Sequence, residues 1–327
     1  MIAVSLIFLI FFFSFVLVKA TRLLVTSLQG LSQSVNIDKF GLTAFLLAFS
    51  TSLPELFVGI TAAVHHRPEL SLGNVIGANI ANLSLVIGLA AVIAGVVRAS
   101  DEFLREEIFH TFLAGALPLL LLIDRSLSRT DGLILIIVYV IYNLTVLKAG
   151  RHRLVIHQLR SQGSWLHRLW YRVNNEAVER WLGPFILGLI LLIVSSDMIV
   201  RLAQELGYLI RLPALLIGML LLSVGTTLPE LSFEIAAIKR RQSTMALGNV
   251  LGSIVTNATL IVGLVAVIQP FHLERGLPAY LLATITFIIV FSLFWLFVRS
   301  KKTLERWEGI LLVAIYFLFA IAEFYRQ

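Results

Sequence analysis

The chain is expected to fold as an all-α polytopic membrane protein, with ten transmembrane helices forming two inverted five-helix repeats in which helices 2 and 7 are broken. Three observations lead there. Of 327 residues, 58% are apolar, against roughly 45–50% in soluble domains, and only 14% are charged, too few to cover a water-facing surface. Several apolar runs reach the roughly 20 residues that cross a bilayer's hydrocarbon. A long stretch of the first half also recurs in the second.

The apolar runs divide into ten candidate spans: 2–20, 40–64, 71–97, 108–123, 131–148, 183–203, 212–238, 244–268, 278–298 and 308–324. Each is expected to be helical, because an open strand leaves its backbone groups unsatisfied in lipid. The first run ends at Lys19 with no basic segment before it and no small-residue cleavage pattern after it, so it reads as a retained helix. The absence of cysteine excludes disulfides, thiolate zinc sites and iron–sulfur clusters.

The net charge of +7 does not point to nucleic acid, because the basic residues gather in alternate connections. With the N-terminus outside, 19 of the 26 Lys and Arg residues fall in inner connections, as the positive-inside rule requires. The expected location is therefore the cell membrane, multi-pass, with both termini extracytoplasmic. Residues 150–182 form a basic cytoplasmic linker between a first repeat at 1–149 and a second at 183–327. Trp165, Trp170, Tyr171 and Trp181 in that linker suit either an interfacial helix on anionic lipid or ordinary aromatic anchoring.

A shift of 175 residues lays 41–93 on 216–268 without a gap, and 21 of the 53 pairs are identical. Thr51, Leu53, Pro54, Glu55 and Leu56 fall on Thr226, Leu228, Pro229, Glu230 and Leu231; Gly73, Asn74, Val75, Gly77 and Asn82 fall on Gly248, Asn249, Val250, Gly252 and Asn257. Five spans separate the copies, so they cross the bilayer in opposite directions, an arrangement that places binding at the midplane. Apolar scaffolding explains a repeat but not the retention of its polar residues.

Glu55 and Glu230 sit at matching mid-span depth, where a bare carboxylate costs about 3 kcal/mol on insertion scales and so faces a cavity or a cation. Pro54 and Pro229 free the carbonyls of Ser50 and Gly225, adding hard oxygens beside the acids. Thr51 and Ser52 precede Glu55, and Thr226 and Thr227 precede Glu230, at spacings that bring the hydroxyls towards the carboxylates on a helix. Asn74, Ala78 and Asn82 form one row on span 3; Asn249, Ser253 and Asn257 form its copy on span 8. Glycines 73, 77, 248 and 252 permit close helix contact. This oxygen-rich set, without thiolate or imidazole, suits calcium, sodium or magnesium. A single intramembrane proline is usually a kink and a single asparagine usually interhelical glue; the same set twice, in opposite directions, is neither.

STSLPEL (50–56) with GNVIGANIAN (73–82), and GTTLPEL (225–231) with GNVLGSIVTN (248–257), resemble the two alpha-repeats (41–93 and 216–268) of the sodium/calcium exchanger family, within the cation/calcium antiporter superfamily, in its prokaryotic form. TRLLV (21–25) and SDMIV (196–200) extend the likeness over nearly the whole chain. The resemblance implies secondary antiport by alternating access, most simply of Na+ for Ca2+. It implies Glu55 and Glu230 as central carboxylates; Thr51, Ser52, Thr226, Thr227 and Ser253 as hydroxyl ligands; Asn82 as an amide ligand; and the carbonyls of Ala48 and Ser223 at flanking sodium sites. Two positions depart from the family pattern. Ala78 lacks the usual serine hydroxyl, and Asn257 stands where many relatives carry aspartate. Two carboxylates balance one Ca2+ or two Na+, so exchange closer to electroneutral is expected.

Glu234, one turn past Glu230, reads as a partner for Lys239 or Arg240, with an extension of the inner vestibule as the alternative; Asp197 and Arg201 read as an i, i+4 ion pair. No enzyme motif, catalytic residue or cofactor is expected, and the partners are the lipid bilayer and the transported cations. The alternatives are a proton- or potassium-coupled exchanger of the same fold and, from another class, a cation channel.

Overall fold

The computed structural model describes residues 2–34, 51–98, 102–154, 175–240, 242–273 and 278–326. These form helices α1 (Ile2–Ser34), α2 (Leu53–Val64), α3 (Pro68–Ala94), α4 (Glu102–Leu121), α5 (Arg129–Leu154), α6 (Asn175–Ile210), α7 (214–226), α8 (Leu228–Lys239), α9 (Ser243–Ile268), α10 (Pro278–Lys301) and α11 (Arg306–Tyr325). Eight segments among the described residues are long and apolar enough to cross a membrane: α1, α3, α4, α6, α7 with α8, α9, α10 and α11. The expected span at 40–64 is described only from Thr51 onwards, as α2, and that at 131–148 lies within α5.

Apolar and polar residues are distributed inside out. Phe8, Phe15, Ile137, Leu144, Ile186 and Leu318 are exposed on the outer surface, whereas Thr51, Glu55, Asn74, Asn82, Glu230 and Asn257 are buried. Lipid solvates the first set, and the protein itself must satisfy the second.

The helices outrun the apolar segments that announce them. α1 continues to Ser34 rather than ending near residue 20; α6 spans 175–210 rather than 183–203; α5 reaches Leu154. Hydropathy marks only the part of a helix that lies in lipid, while backbone hydrogen bonding continues beyond it. Lys19 is accommodated within α1 by laying its ammonium over the Phe15 ring, 5.2 Å from the centroid. The expected linker at 150–182 is therefore entered by helix at both ends, and its residues 155–174 lie outside the described residues.

The two halves interlock. α1 packs along α6, α3 along α7 and α11, and α9 along α5. A Cβ on Gly88 would meet the carbonyl oxygen of Gly309 at 2.8 Å, and one on Gly263 would meet that of Gly132 at the same distance. These contacts are copies of each other, since Gly263 is Gly88 shifted by 175. Between helices that gain nothing from apolar burial against lipid, backbone contact through small residues supplies the packing.

Four short strands depart from the all-α expectation. β1 (Val96–Arg98) pairs antiparallel with β4 (Thr303–Glu305), and β2 (Ser126–Leu127) pairs antiparallel with β3 (Phe271–His272). β3 begins where β1 does after the same shift, so each half closes the helix ends of the other in the same manner.

Candidate functional site

Pro54 and Pro229 occupy the first turn of α2 and α8, so each starts a helix rather than kinking one. Proline is tolerated there because the first amides of a helix have no intrahelical acceptor. The residue before each new helix, Ser52 or Thr227, leaves regular helix geometry, with ψ near 0°. The first turns of α2 and α8 carry Glu55 and Glu230, each close to an N-terminus whose free amides favour negative charge.

The threonines do not fold back on their own acids as the helical spacing suggested. They cross to the opposite repeat. Thr51 donates its hydroxyl to the Asn249 side-chain oxygen (3.3 Å), and Thr226 donates to that of Asn74 (3.2 Å). The two bonds are the same contact made twice, because both partners shift by 175. Thr51 also meets the Ser253 hydroxyl at 3.2 Å, and Thr226 lies beside the Glu55 carboxyl. Gly73 and Gly77 make this approach possible: a Cβ on either would fall 1.9 Å from the Leu215 oxygen or 2.1 Å from the Met219 oxygen of α7.

Glu55 and Glu230 are each 0% exposed, and none of their four carboxylate oxygens has a hydrogen-bond partner among the described residues. Glu55 neighbours Glu230 as a like charge. An ionised carboxylate left that way inside a membrane is heavily penalised, so each acid calls for a compensating positive charge or a proton. The Ser52 hydroxyl, both polar atoms of the Asn82 amide and the Asn257 carbonyl oxygen are likewise buried and unpaired among the described residues. Among those residues no three His, Cys, Asp or Glu side chains converge as a metal centre.

Each asparagine row ends in a π-helical turn, Asn82–Val86 in α3 and Thr256–Ile261 in α9. A π turn frees a carbonyl from the regular ladder. Ser84 donates to the Ile80 carbonyl at 2.5 Å, and Thr259 donates to that of Val255 at 2.6 Å, a pair again related by the shift. These two hydroxyl bonds lie at the same place in each repeat, within the π-helical turns.

The remaining expected positions fall as follows. The Ser223 carbonyl accepts the hydroxyl of Thr227 at 2.8 Å and that of Thr226 at 3.4 Å, so Thr227 is turned towards its own helix. Asn257 donates to the Asn79 side-chain oxygen at 3.2 Å. Ala48 lies outside the described residues. Asp197 pairs with Arg201 at 2.8 Å, as its spacing suggested, and also meets His65, just past the end of α2, at 2.7 Å.

Glu234 corrects an expectation. It is 1% exposed and pairs with neither Lys239 nor Arg240, both of which are exposed; its Oε1 instead accepts the Asn249 amide at 2.9 Å. Asn79 was overlooked because its repeat partner is Ile254, so a search for retained polar residues passes over it.

The sequence profile described as "Sodium/calcium exchanger protein" matches residues 5–148 and 181–325. The chain belongs to the sodium/calcium exchanger family. The chain is 32% identical to an uncharacterized membrane protein of Methanocaldococcus jannaschii over 90% of each chain. It is 26% identical to the sodium/calcium exchanger MaX1 of Methanosarcina acetivorans, covering 94% of this chain and 95% of that one. Among solved structures, the sodium-calcium exchanger NCX_Mj soaked with Na+ and Sr2+ superposes with a TM-score of 0.63 at 27% identity, over 98% of both chains. The same exchanger soaked without Na+ and Ca2+ gives 0.60 at 28% identity, over 99% of both. The family is one of membrane antiporters, not of enzymes, and the inverted repeat is its architecture.

Proposed function

We propose that the chain exchanges Ca2+ for Na+ by alternating access, at a midplane site formed by Glu55 and Glu230 with Thr51, Ser52, Thr226, Ser253, Asn82 and Asn257. Ten spans, as two inverted five-helix halves broken at Ser52 and Thr227, carry this site, and both termini lie outside the cell. The observation that carries the reading is the pair of fully buried carboxylates at equivalent positions, all four oxygens without a hydrogen-bond donor among the described residues. Hydroxyls and amides from both repeats surround them. Hard oxygen donors of this kind suit Ca2+ and Na+, and relatives named as sodium/calcium exchangers match 94% and 98% of the chain. Ala48 and Ser223 complete flanking sodium positions through their carbonyls, and Thr227 supports the Ser223 end by its hydrogen bond to that carbonyl.

Alternating access follows from the cross-repeat bonds. Thr51–Asn249 ties the residues just before α2 to α9, and Thr226–Asn74 ties α7 to α3, one tie per repeat interface. A rocking of one set of helices against the other opens one interface while the other stays closed around the ion. The test is radioactive calcium uptake into proteoliposomes, with and without an outward Na+ gradient. Uptake that rises above equilibrium only with the gradient supports exchange; uptake indifferent to Na+ contradicts it, and purely downhill flux identifies a channel.

A further inference from the structure

The two asparagine rows end in residues that repeat each other, Asn82 and Asn257, yet the structure holds only one of them. Both are fully buried. Among the described residues neither polar atom of the Asn82 amide has a partner. The Asn257 amide is paired on one side only: its Nδ2 donates to Asn79 Oδ1 at 3.2 Å, and its Oδ1 meets no donor among those residues. The difference traces to a single position. Asn79 on α3 shifts by 175 to Ile254 on α9, so a copy of this bond would need an acceptor on an isoleucine side chain.

Asn79 is buried and bonds two points of α9 that lie about one turn apart. Its Oδ1 takes the Asn257 amide, and its Nδ2 donates to the Ile254 backbone carbonyl at 3.5 Å. The direction of this chain is set at the carbonyl, which can only accept. Turning the Asn79 amide over would put oxygen against oxygen at Ile254 and N–H against N–H at Asn257. The Ile254 contact, although long, therefore decides which way round Asn79 lies. Asn79 in turn decides which way round Asn257 lies.

Orientation matters more for an amide than for an acid. A carboxylate offers an oxygen whichever way it is turned, whereas an amide offers either an acceptor or an N–H donor. Only the acceptor side is a ligand for a hard cation; the N–H side repels one.

We propose that Asn79 is a positioning residue of the exchange site: by accepting from Asn257 Nδ2, it fixes that amide with its oxygen presented to the transported cation. This rests on the exchange reading above, in which Asn257 is a ligand. Asn79 touches no ion itself. Its part is that of an outer partner that orients a ligand, and loss of such a partner costs about 10–100-fold in metal affinity.

The test reads calcium affinity without transport, from the rise in melting temperature of the purified protein with Ca2+ concentration. Four proteins are compared: wild type, Asn79→Leu, Asn257→Asp and the double variant. Leucine keeps the branched shape of asparagine and removes both its donor and its acceptor. Asn79→Leu alone should weaken calcium binding by about 10-fold or more. Added to Asn257→Asp, whose carboxylate needs no orienting, the same change should leave the affinity where Asn257→Asp set it. Should Asn79→Leu fail to insert, Asn79→Ala makes the same comparison without added bulk. Equal losses in the two backgrounds would mean that Asn79 only packs, and an undiminished affinity in Asn79→Leu would mean that Asn257 needs no partner; either overturns the proposal. A wild type that binds calcium with this pattern among its variants, yet takes it up indifferently to a Na+ gradient, overturns the exchange reading and leaves the positioning role standing.

Discussion

Gly77→Ala tests whether α3 and α7 meet as closely as the site requires. The added methyl would fall 2.1 Å from the Met219 carbonyl oxygen, 2.7 Å from Ser223 Oγ and 2.8 Å from Ser223 Cβ, all on α7. A carbon and a carbonyl oxygen settle at roughly 3.3 Å, a distance seen even in close Cα–H contacts, so α7 must retreat by about 1 Å. Backbone oxygens in a helix cannot yield alone, and overpacking of this kind costs about 1–3 kcal/mol. The displacement separates Thr226 from Asn74, whose bond is already 3.2 Å long, and moves the Ser223 carbonyl. A 1 Å misplacement of positioning groups is worth about 100-fold in rate where geometry is demanding. Gly59→Ala is the graded comparison: its nearest neighbours, at 2.9 Å, are the ends of the Ile261 and Ser71 side chains, which can adjust. Sodium-driven calcium uptake per inserted molecule should therefore fall steeply for Gly77→Ala and modestly for Gly59→Ala. Wild-type uptake and unchanged melting in Gly77→Ala would refute the close contact.

Three further outcomes follow from the site and the topology. Thr51→Ala and Asn249→Ala should couple in a double-mutant cycle of melting free energies by about 0.6 kcal/mol, the average for interhelical bonds in membranes, and a coupling of zero would remove the cross-repeat tie. Asn257→Asp brings a carboxylate against the Asn79 oxygen; that amide can turn to donate, because its present bond to the Ile254 carbonyl is long at 3.5 Å, and the reversal potential of exchange should then shift. An unchanged potential would mean that residue 257 does not set the coupling. Single cysteines at Ser161 and Ser300 should resist an impermeant thiol reagent outside intact cells, and rapid labelling of both would reverse the proposed orientation.

What could be read from the sequence was what the duplication wrote twice. Glu55 and Glu230, the two Pro–Glu turns, the asparagine rows and the glycines beside them all announce themselves by recurring at one spacing. Their partners do not follow from helical periodicity. Thr51 lies four residues before Glu55, yet its hydroxyl is spent on Asn249, because the nearest acceptor is set by how the repeats cross rather than by spacing along one helix. Ser84 and Thr259 recur in register, but a hydroxyl that caps a π turn looks like any other serine or threonine until the freed carbonyl is located. Glu234 was misread for the opposite reason. It occurs once, and proximity in sequence to Lys239 and Arg240 suggested a surface ion pair that burial rules out. Helix length was underestimated wherever a charged residue such as Lys19 or Arg22 closed an apolar run, since lipid contact ends there and the hydrogen-bond ladder does not.

The central claim is that Glu55 and Glu230 carry the transported cation, and sodium-driven calcium uptake by Glu55→Gln and Glu230→Gln measures it directly. Each amide keeps the size of the side chain and removes the charge from an oxygen pair that has no hydrogen-bond donor among the described residues. In proteoliposomes matched for the amount of inserted protein, both variants should lose uptake while the wild type retains it. Uptake at the wild-type rate in both would show that the cation is bound elsewhere.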